Sequence, residues 1–306
     1  MRAVAIINAK ASTVLESGPE IVDSIARRFR ERGHDLELSL VAPEDIEDSL
    51  RLAAARTDID AIIVGGGDGS QSLAASLLAG TGKILGVLPL GTVNLLARDL
   101  EVPFDLLSAV DALAEASVET IDLGEVNGRI FHSLAGLGFL ARMARERQRA
   151  RADIPFARWL AFLLALVRAI ARVDRMALSI ETESGKLVRR SSAVLVTNNI
   201  YRESEWTRPR MSDGLLEVHI VKGWTRLPLV KAGFDMMLGR WRRTGRIESI
   251  LARQIEINTR SRRIPLSVDG EVVDERAPLR FSVQRGALKV LRPACATPES
   301  KRPPAA

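Results

Sequence analysis

The sequence predicts an α/β domain on a parallel sheet followed by a β-rich domain, and three observations predict it. Over residues 1–121, β-branched apolar runs alternate with amphipathic helical patterns, as in βα repetition. Two of these runs end in glycine clusters that lead straight into helices, at 65–70 and 89–94. From residue 122 onward, strand-like pieces dominate, some separated by turns at Asn127-Gly128, Asp213-Gly214 and Asp269-Gly270. At 306 residues the chain can build two domains with cores of their own.

The elements follow in order. Residues 4–7 form a first apolar strand, and 19–32 an amphipathic helix stopped by Gly33. Residues 36–40 alternate apolar and polar as a second strand. A helix covers 43–55, with Glu44 and Asp45 favourable in its first turn. Residues 61–64 are a buried strand and 70–78 the helix after it. Another strand covers 84–88, with helices from about 93 and over 104–116. Strands are then expected at 122–126, 129–133, 177–181, 192–197, 215–221, 254–258, 264–268 and 279–283. Helical inserts are expected around 137–173 and 226–240. The tail from Pro293, rich in Pro and Ala, reads as disordered.

Composition narrows the function classes. Hydrophobic content of 46% and charged content of 27% are those of a soluble globular protein. Aromatics make up 4%, too few for base-stacking platforms. A single cysteine, Cys295, excludes an intrachain disulfide and a cysteine metal cluster, which suits the cytosol. Three scattered histidines, His34, His132 and His219, argue against a histidine metal site. Met1-Arg2 leads directly into a core strand, so no secretory segment is expected. The apolar run 159–167 is bracketed by Arg158, Arg168 and Arg172. It falls short of the roughly 20 residues that span a bilayer, and reads as a buried or interfacial helix.

The net charge of +6 is unevenly placed. Arg142, Arg145, Arg147, Arg149 and Arg151 form one run. Arg240, Arg242, Arg243 and Arg246 form a second, and Arg260, Arg262 and Arg263 a third. Such runs are either solvated faces or a means of attraction to an anionic membrane, at about 1 kcal/mol per near-surface cation. No nucleic-acid motif accompanies them.

The glycine clusters carry the chemistry. Glycines let backbone N–H groups approach a ligand, and the helix that follows adds donors and partial positive charge, which suits phosphate. Asp68 supplies one carboxylate for a cation. Asn8, Ser70 and Thr92 are polar groups placed to contact nucleotide or phosphate. No Gly-Lys-Ser/Thr follows, so the loop is not a P-loop, and Gly65, Gly67 and Gly69 do not match the dinucleotide fingerprint. Taken alone, the cluster is equally a turn.

Four ordered motifs make the reading specific. They are Gly66-Gly67-Asp68-Gly69-Ser70, Pro89-Leu90-Gly91-Thr92-Val93-Asn94, Ser212-Asp213-Gly214-Leu215-Leu216-Glu217-Val218 and Leu266-Ser267-Val268-Asp269-Gly270-Glu271. Together with the opening Ala5-Ile6-Ile7-Asn8-Ala9-Lys10, they resemble the diacylglycerol kinase catalytic domain family, which includes bacterial lipid kinases, ceramide kinases and sphingosine kinases. The nucleotide domain of that family is distantly similar to NAD kinases and phosphofructokinases. The resemblance implies an ATP-binding α/β domain over 1–121 and a β-sandwich acceptor domain over 122–286. It also implies that a last strand near 287–291 returns to the first domain, with 293–306 as the tail.

The resemblance further implies ATP and Mg²⁺ as cofactors. Asn8, Gly66, Gly67, Asp68, Gly69, Ser70, Gly91, Thr92 and Asn94 would contact the nucleotide. Asp68 and Asp122 would hold Mg²⁺, and Glu271 would be the catalytic base, with Asp269 beside it near metal or phosphate. Asp213, with the carbonyls of Leu215 and Arg210, would form an accessory Mg²⁺ site. The expected partner is a lipid substrate at an anionic membrane surface, met by a cytoplasmic protein bound peripherally to the inner face.

The chain departs from the family pattern in four places. Leu95 stands where the family has Asp, and Ser72-Leu73 where it has Asn-Glu. The first loop, Asn8-Ala9-Lys10-Ala11-Ser12, lacks the family's Pro and Gly. Leu40-Val41-Ala42-Pro43 lacks its threonine. These departures keep two alternatives open: a catalytically degenerate nucleotide- or lipid-binding module, and a kinase of soluble small molecules. The sequence leaves the oligomeric state open, a homo-oligomer included.

Overall fold

The computed structural model describes residues 1–11, 14–15, 20–153, 158–173, 176–203, 206–223 and 225–294, with 151–153 and 158–163 described by backbone alone. The predicted helix start at Pro19, Ser12 of the first loop, Cys295 and the tail from 295 lie outside the described residues. The chain divides into two compact units: Met1–Ile121 together with the chain from Gly286, and Asp122–Arg285.

The first unit is built on a parallel sheet. In chain order its elements are β1 (Arg2–Asn8), α1 (Glu20–Glu31), β2 (Asp35–Val41), α2 (Ile46–Ala55), β3 (Ala61–Gly66), α3 (Asp68–Leu78), β4 (Ile84–Pro89), the short α4 (Leu95–Asp99) and α5 (Leu106–Ala114). A 3₁₀ turn at Pro43–Asp45 opens the helix predicted over 43–55, because Pro43 fits only an initial position. Strand β5 (Ser117–Val126) follows. The strand order is β2-β1-β3-β4, and then the C-terminal half of β16 (Leu279–Arg292), whose Lys289 and Val290 pair in parallel with Ile84 and Leu85.

Strands β1, β3 and β4 are buried almost throughout, which explains their unbroken apolar runs. Helix α1 buries Ile21, Ile25 and Phe29 and packs with α5, while α2 packs with α3. The chain steps from β1 to β2 in one direction and then to β3 on the other side of β1. The strand order therefore reverses between β1 and β3. Open α/β sheets bind ligands outside the carboxyl ends of strands at such a reversal.

The second unit is a β-sandwich. Its elements are β6 (Arg129–Phe131), β7 (Leu134–Gly138), α6 (Phe139–Asp153), α7 (Arg158–Ala171), β8 (Met176–Thr182), β9 (Gly185–Ser191), β10 (Ala193–Asn198), β11 (Leu216–Val221), α8 (Arg226–Met237), β12 (Ile247–Ala252), β13 (Gln254–Thr259), β14 (Arg263–Val268) and β15 (Glu271–Arg276), ending with the first half of β16. One antiparallel sheet runs β12-β11-β10-β7-β14-β15. Against it, β16, β13, β8 and β9 pair in that order, and β5 pairs with β6. Phe131, Leu178, Ile180, Ile257 and Phe281 from one layer meet Leu137, Val196, Val218, Leu266 and Val268 from the other in one buried core.

Strands β7, β9, β12 and β15 were not predicted, and β7 replaces the start of the helical insert expected at 137. The strand expected over 129–133 stops at Phe131, because the next amides bond to a side chain. Helix α7 contains the apolar run 159–167, and among its described side chains Ala165 and Ala169 are buried while Val167 is exposed. No helix among the described residues is long and apolar enough to cross a membrane.

Sheet residues Glu217 and His219 on β11 are buried polar groups. Glu217 forms a two-pronged ion pair with Arg242, one contact at 2.9 Å. His219 Nδ1 meets Ser249 Oγ at 2.9 Å, its Nε2 lies 3.5 Å from Glu217, and its ring stands edge-on to Trp241. Burial and then the Arg242 charge push the imidazole down to about 3. The unfolded chain therefore takes up a proton at this residue near pH 6.5, where the folded chain does not. Its contribution to stability is complete above pH 6.5 and is lost as pH falls toward 3, at about 1.4 kcal/mol per pH unit. Burial raises the Glu217 carboxyl, so protonation of that group in the folded state offsets part of the loss below its folded value. Unfolding free energy measured in urea from pH 7 to pH 5 should fall in the parent. The slope should flatten in His219→Gln.

Candidate functional site

In the first unit the two glycine loops are locked together. Ile7 pairs with Gly65 and Gly66 with Pro89, so the ends of β1, β3 and β4 lie level. Helix α3 starts at Asp68, directly after Gly67 in extended conformation. The first amides of a helix have no intrahelical acceptor and face the loop mouth. Asp68 Oδ2 accepts from Asn94 N–H at 3.2 Å, and its Oδ1 from Leu95 N–H at 2.7 Å. Asp68 thus caps α4 from the other loop. The apolar side chain at 95 does not disturb this, since the donor is its backbone.

Asn94, buried and left-handed at φ 51°, closes the second loop on itself. Its Oδ1 accepts from Gly91 N–H at 3.0 Å and its Nδ2 donates to Gly91 O at 2.8 Å. Gln71, fully buried on α3, donates through Nε2 to Gly66 O at 3.2 Å and to Asn94 Oδ1 at 3.4 Å. The predicted helix start near 93 moves to 95 because Asn94 and Asp68 fix that end. Asn8, at the end of β1, accepts from Lys10 N–H through Oδ1 at 2.9 Å. Gly69 and Thr92 are exposed, and Ser70 is half-buried.

Gly91 is required by space rather than by φ. A Cβ there would overlap Gly67 Cα and lie 2.7 Å from Asn94 Oδ1. Backbone cannot yield as a flexible side chain does. Gly91→Ala should therefore destabilise the chain by about 1–3 kcal/mol through overpacking. Urea unfolding checks this, and an unchanged midpoint would contradict the loop contact.

The loops fit a phosphate with Mg²⁺ in one respect: Asp68 is a half-buried carboxylate fixed beside a helix N-terminus. No cluster of three acidic, histidine or cysteine side chains able to hold a metal occurs among the described residues. A hard cation here would take one carboxylate and depend on phosphate oxygens and water, as Mg²⁺ commonly does.

In the second unit, Asp269 and Gly270 have φ of 46° and 91° and form the two-residue turn between β14 and β15, with Val268 paired to Glu271. Positive φ at both positions is the type I′ arrangement that Asp-Gly favours. The Asp269 carboxylate is buried. Its Oδ2 accepts from His132 N–H at 2.9 Å, and its Oδ1 from Ser133 and Leu134 N–H at 3.0 Å each. Asp269 therefore pins the turn to the entrance of β7. Glu271, the next residue but one, is exposed at the start of β15. Arg147 on α6 reaches the turn: a Cβ at Gly270 would lie 3.5 Å from its Nη2.

Asp122 is buried and tied to the segment carrying Asp213. Its N–H donates to Met211 O at 2.7 Å, and its Oδ2 accepts from Gly214 N–H at 2.7 Å. Asp213 Oδ1 lies 3.2 Å from Arg210 Nε, and Leu215 O accepts from Asn199 N–H at 2.9 Å. Of the donors expected for an accessory Mg²⁺, the carboxylate has a guanidinium beside it and one carbonyl is already in use. The structure therefore brings Asp122 together with the 210–215 segment, and Asp269 with residues 132–134.

Sequence reasoning missed the groups that knit these turns together. Asn198 Nδ2 donates to Asp122 O at 2.8 Å and to His132 O at 3.2 Å. Arg208, fully buried, donates to the carbonyls of His132 and Asn198 and lies over the Tyr201 ring. A buried arginine signals a polar network, but sequence alone does not show that Arg208 is buried.

Comparison with known proteins agrees with this fold. Residues 2–126 match the model of the diacylglycerol kinase catalytic domain, and residues 134–292 that of the YegS C-terminal NAD kinase beta sandwich-like domain. The chain is 28% identical over 301 residues to the probable lipid kinase YegS-like of Pseudomonas aeruginosa, covering 94% of this chain and 95% of that protein. It is 28% identical over 273 residues to the diacylglycerol kinase of Bacillus subtilis, covering 83% and 86%. In fold, it matches the crystal structure of a diacylglycerol kinase from Bacillus anthracis str. Sterne, with a TM-score of 0.68 at 17% identity over 97% of each chain.

Proposed function

The chain belongs to the family of diacylglycerol kinase catalytic domains joined to a YegS-type C-terminal β-sandwich, and from that premise we propose that it transfers a phosphoryl group from ATP to a lipid hydroxyl such as that of diacylglycerol. Ceramide and sphingoid bases are the neighbouring acceptors. The observation that carries the reading is the pair of glycine loops after β3 and β4, locked together by Asp68, the first of them beside the strand-order reversal of a parallel sheet. Phosphoryl transfer needs little covalent chemistry from the protein. It needs the phosphates held, their charge neutralised and the acceptor aligned.

The loop amides and the α3 N-terminus would hold the phosphates, with Asn8, Ser70 and Thr92 adding polar contacts. Mg²⁺, held through Asp68, would neutralise charge on the phosphate oxygens. Glu271 would orient the acceptor hydroxyl and take its proton as the new O–P bond forms and the bond to the ADP oxygen breaks. A carboxylate with a reference pKa of about 4.3 is a weak base for an alcohol, so the proton moves late in that step. The lipid acceptor implies peripheral work at the cytoplasmic face of a membrane.

The test is incorporation of labelled phosphate from Mg-ATP into diacylglycerol, ceramide and sphingoid bases. Incorporation into none of them above a Glu271→Gln control would overturn the reading. The apolar Leu95 favours a second reading, a nucleotide-binding module without turnover. Thermal stabilisation by Mg-ATP with no product from any lipid or soluble alcohol would select it.

A further inference from the structure

Helix α8 is anchored on one side and bare on the other. Inward, Leu229 and Ala232 join Trp241 and Ile247 in a buried cluster. Trp206 Nε1 donates to Met236 O at 3.0 Å, and Asp235 is ion-paired to Arg246 at 2.5 Å. Outward, Leu227 is 62% exposed, Val230 47%, Phe234 55% and Met237 70%, and Leu238 follows at 45%. Spaced three and four residues apart, these side chains form one continuous apolar stripe. Isolated exposed apolar residues are ordinary, but a contiguous patch marks a contact surface.

Among the described residues, the exposed charges on α8 and directly after it all have one sign. Arg226 and Lys231 border it on α8, and Arg240 and Arg243 follow its C-terminal end, all exposed. The helix's one acid, Asp235, is buried and paired. The second arginine run of the sequence is thereby sorted: Arg242 and Arg246 serve the buried Glu217 and Asp235, and Arg240 and Arg243 are presented outward. A second copy docking through the same stripe would set these cations against each other. A plane of anionic headgroups would pair with them.

We infer that α8 is an interfacial anchor, which lays Leu227, Val230, Phe234 and Met237 into the surface of an anionic lipid bilayer while its basic border meets the headgroups. The choice of partner rests on the lipid-acceptor reading. The anchor does not depend on the masking of any catalytic group, since none of its residues belongs to the loops or to the Asp-Gly-Glu turn.

The test is co-sedimentation of the full chain with phosphatidylcholine vesicles, with and without phosphatidylglycerol, for the parent and for Phe234→Gln combined with Met237→Gln. Both side chains are exposed, and circular dichroism and unfolding should show the variant folded like the parent. Its affinity for phosphatidylglycerol vesicles should fall about tenfold or more. Phe234→Leu with Met237→Leu should retain parental binding. Turnover of a short-chain diacylglycerol dispersed as monomers should be unchanged in the glutamine variant. Vesicle binding equal to the parent's, or a parent that binds no vesicles, would overturn the inference. So would a parental dimer that the variant dissolves while vesicle binding persists, which would make the stripe a contact between copies. If vesicle binding behaves as expected but the parent phosphorylates no lipid, the kinase reading fails and the anchor stands.

Discussion

Replacing Glu271 with Gln should lower turnover on a lipid hydroxyl by about 10²–10⁴-fold, the range for loss of a general base, and leave Mg-ATP binding as in the parent. Glu271 is the first residue of β15 after a turn whose backbone is fixed at both central positions. Its side chain is exposed, so it is available to an acceptor, and glutamine preserves its size while removing the site for a proton. Because the residue is not packed, unfolding in urea should be nearly unchanged. Steady-state kinetics with separate titration of nucleotide by thermal shift distinguishes loss of the base from loss of binding. A variant within a few-fold of parental turnover would remove Glu271 from the chemistry.

Asp269→Ala should have the largest effect on stability. Three backbone amides, those of His132, Ser133 and Leu134, would lose their acceptor. Each buried donor left unsatisfied costs about 1–3 kcal/mol, so the loss should reach at least about 3 kcal/mol. Alanine also tolerates φ of 46° less well than aspartate, adding to the cost. Asp269→Asn should fall between the two, since one amide oxygen can serve two donors but its NH₂ would confront the third. Urea denaturation of the three proteins gives the order directly. A loss below about 1 kcal/mol for alanine would show that the carboxylate is not what holds the turn to β7.

The first unit was legible because its information is local. Buried parallel strands write themselves as apolar runs, and a glycine loop's role is fixed by neighbours within a few residues. Gly91 is the exception in kind: its necessity comes from Gly67, a residue of the other loop. In the second unit, β7 reads Leu134-Ala135-Gly136-Leu137-Gly138, and its glycines leave no clear strand pattern ahead of the helical insert expected from 137. The space a Cβ at Gly136 would need is taken by Leu140, and at Gly138 by Met176 and the Ser192 carbonyl. Strand β9, Gly185–Ser191, is exposed at most positions and carries little periodic signal.

The same distinction separates the candidate site residues. Asp68, Asn94, Asp269 and Glu271 sit in short motifs whose composition announces them. Gln71, Asn198 and Arg208 do not, because their partners are defined only by folding: Arg208 meets His132, which lies 76 positions earlier. A polar residue in the middle of an apolar stretch, as Asn198 and Asn199 are after Ala193–Thr197, was the one available hint.

The pairing of β4 with β16 has a bearing on biosynthesis. The partner of Ile84 and Leu85 is Lys289 and Val290, so one edge of β4 waits for residues made some two hundred positions later. On the ribosome, the sheet begun first is finished last, after every strand of the sandwich has been translated. Until residues 289 and 290 have been made, that open edge is a template for wrong pairing, and a nascent chain stalled short of them would expose it with nothing of its own to close it.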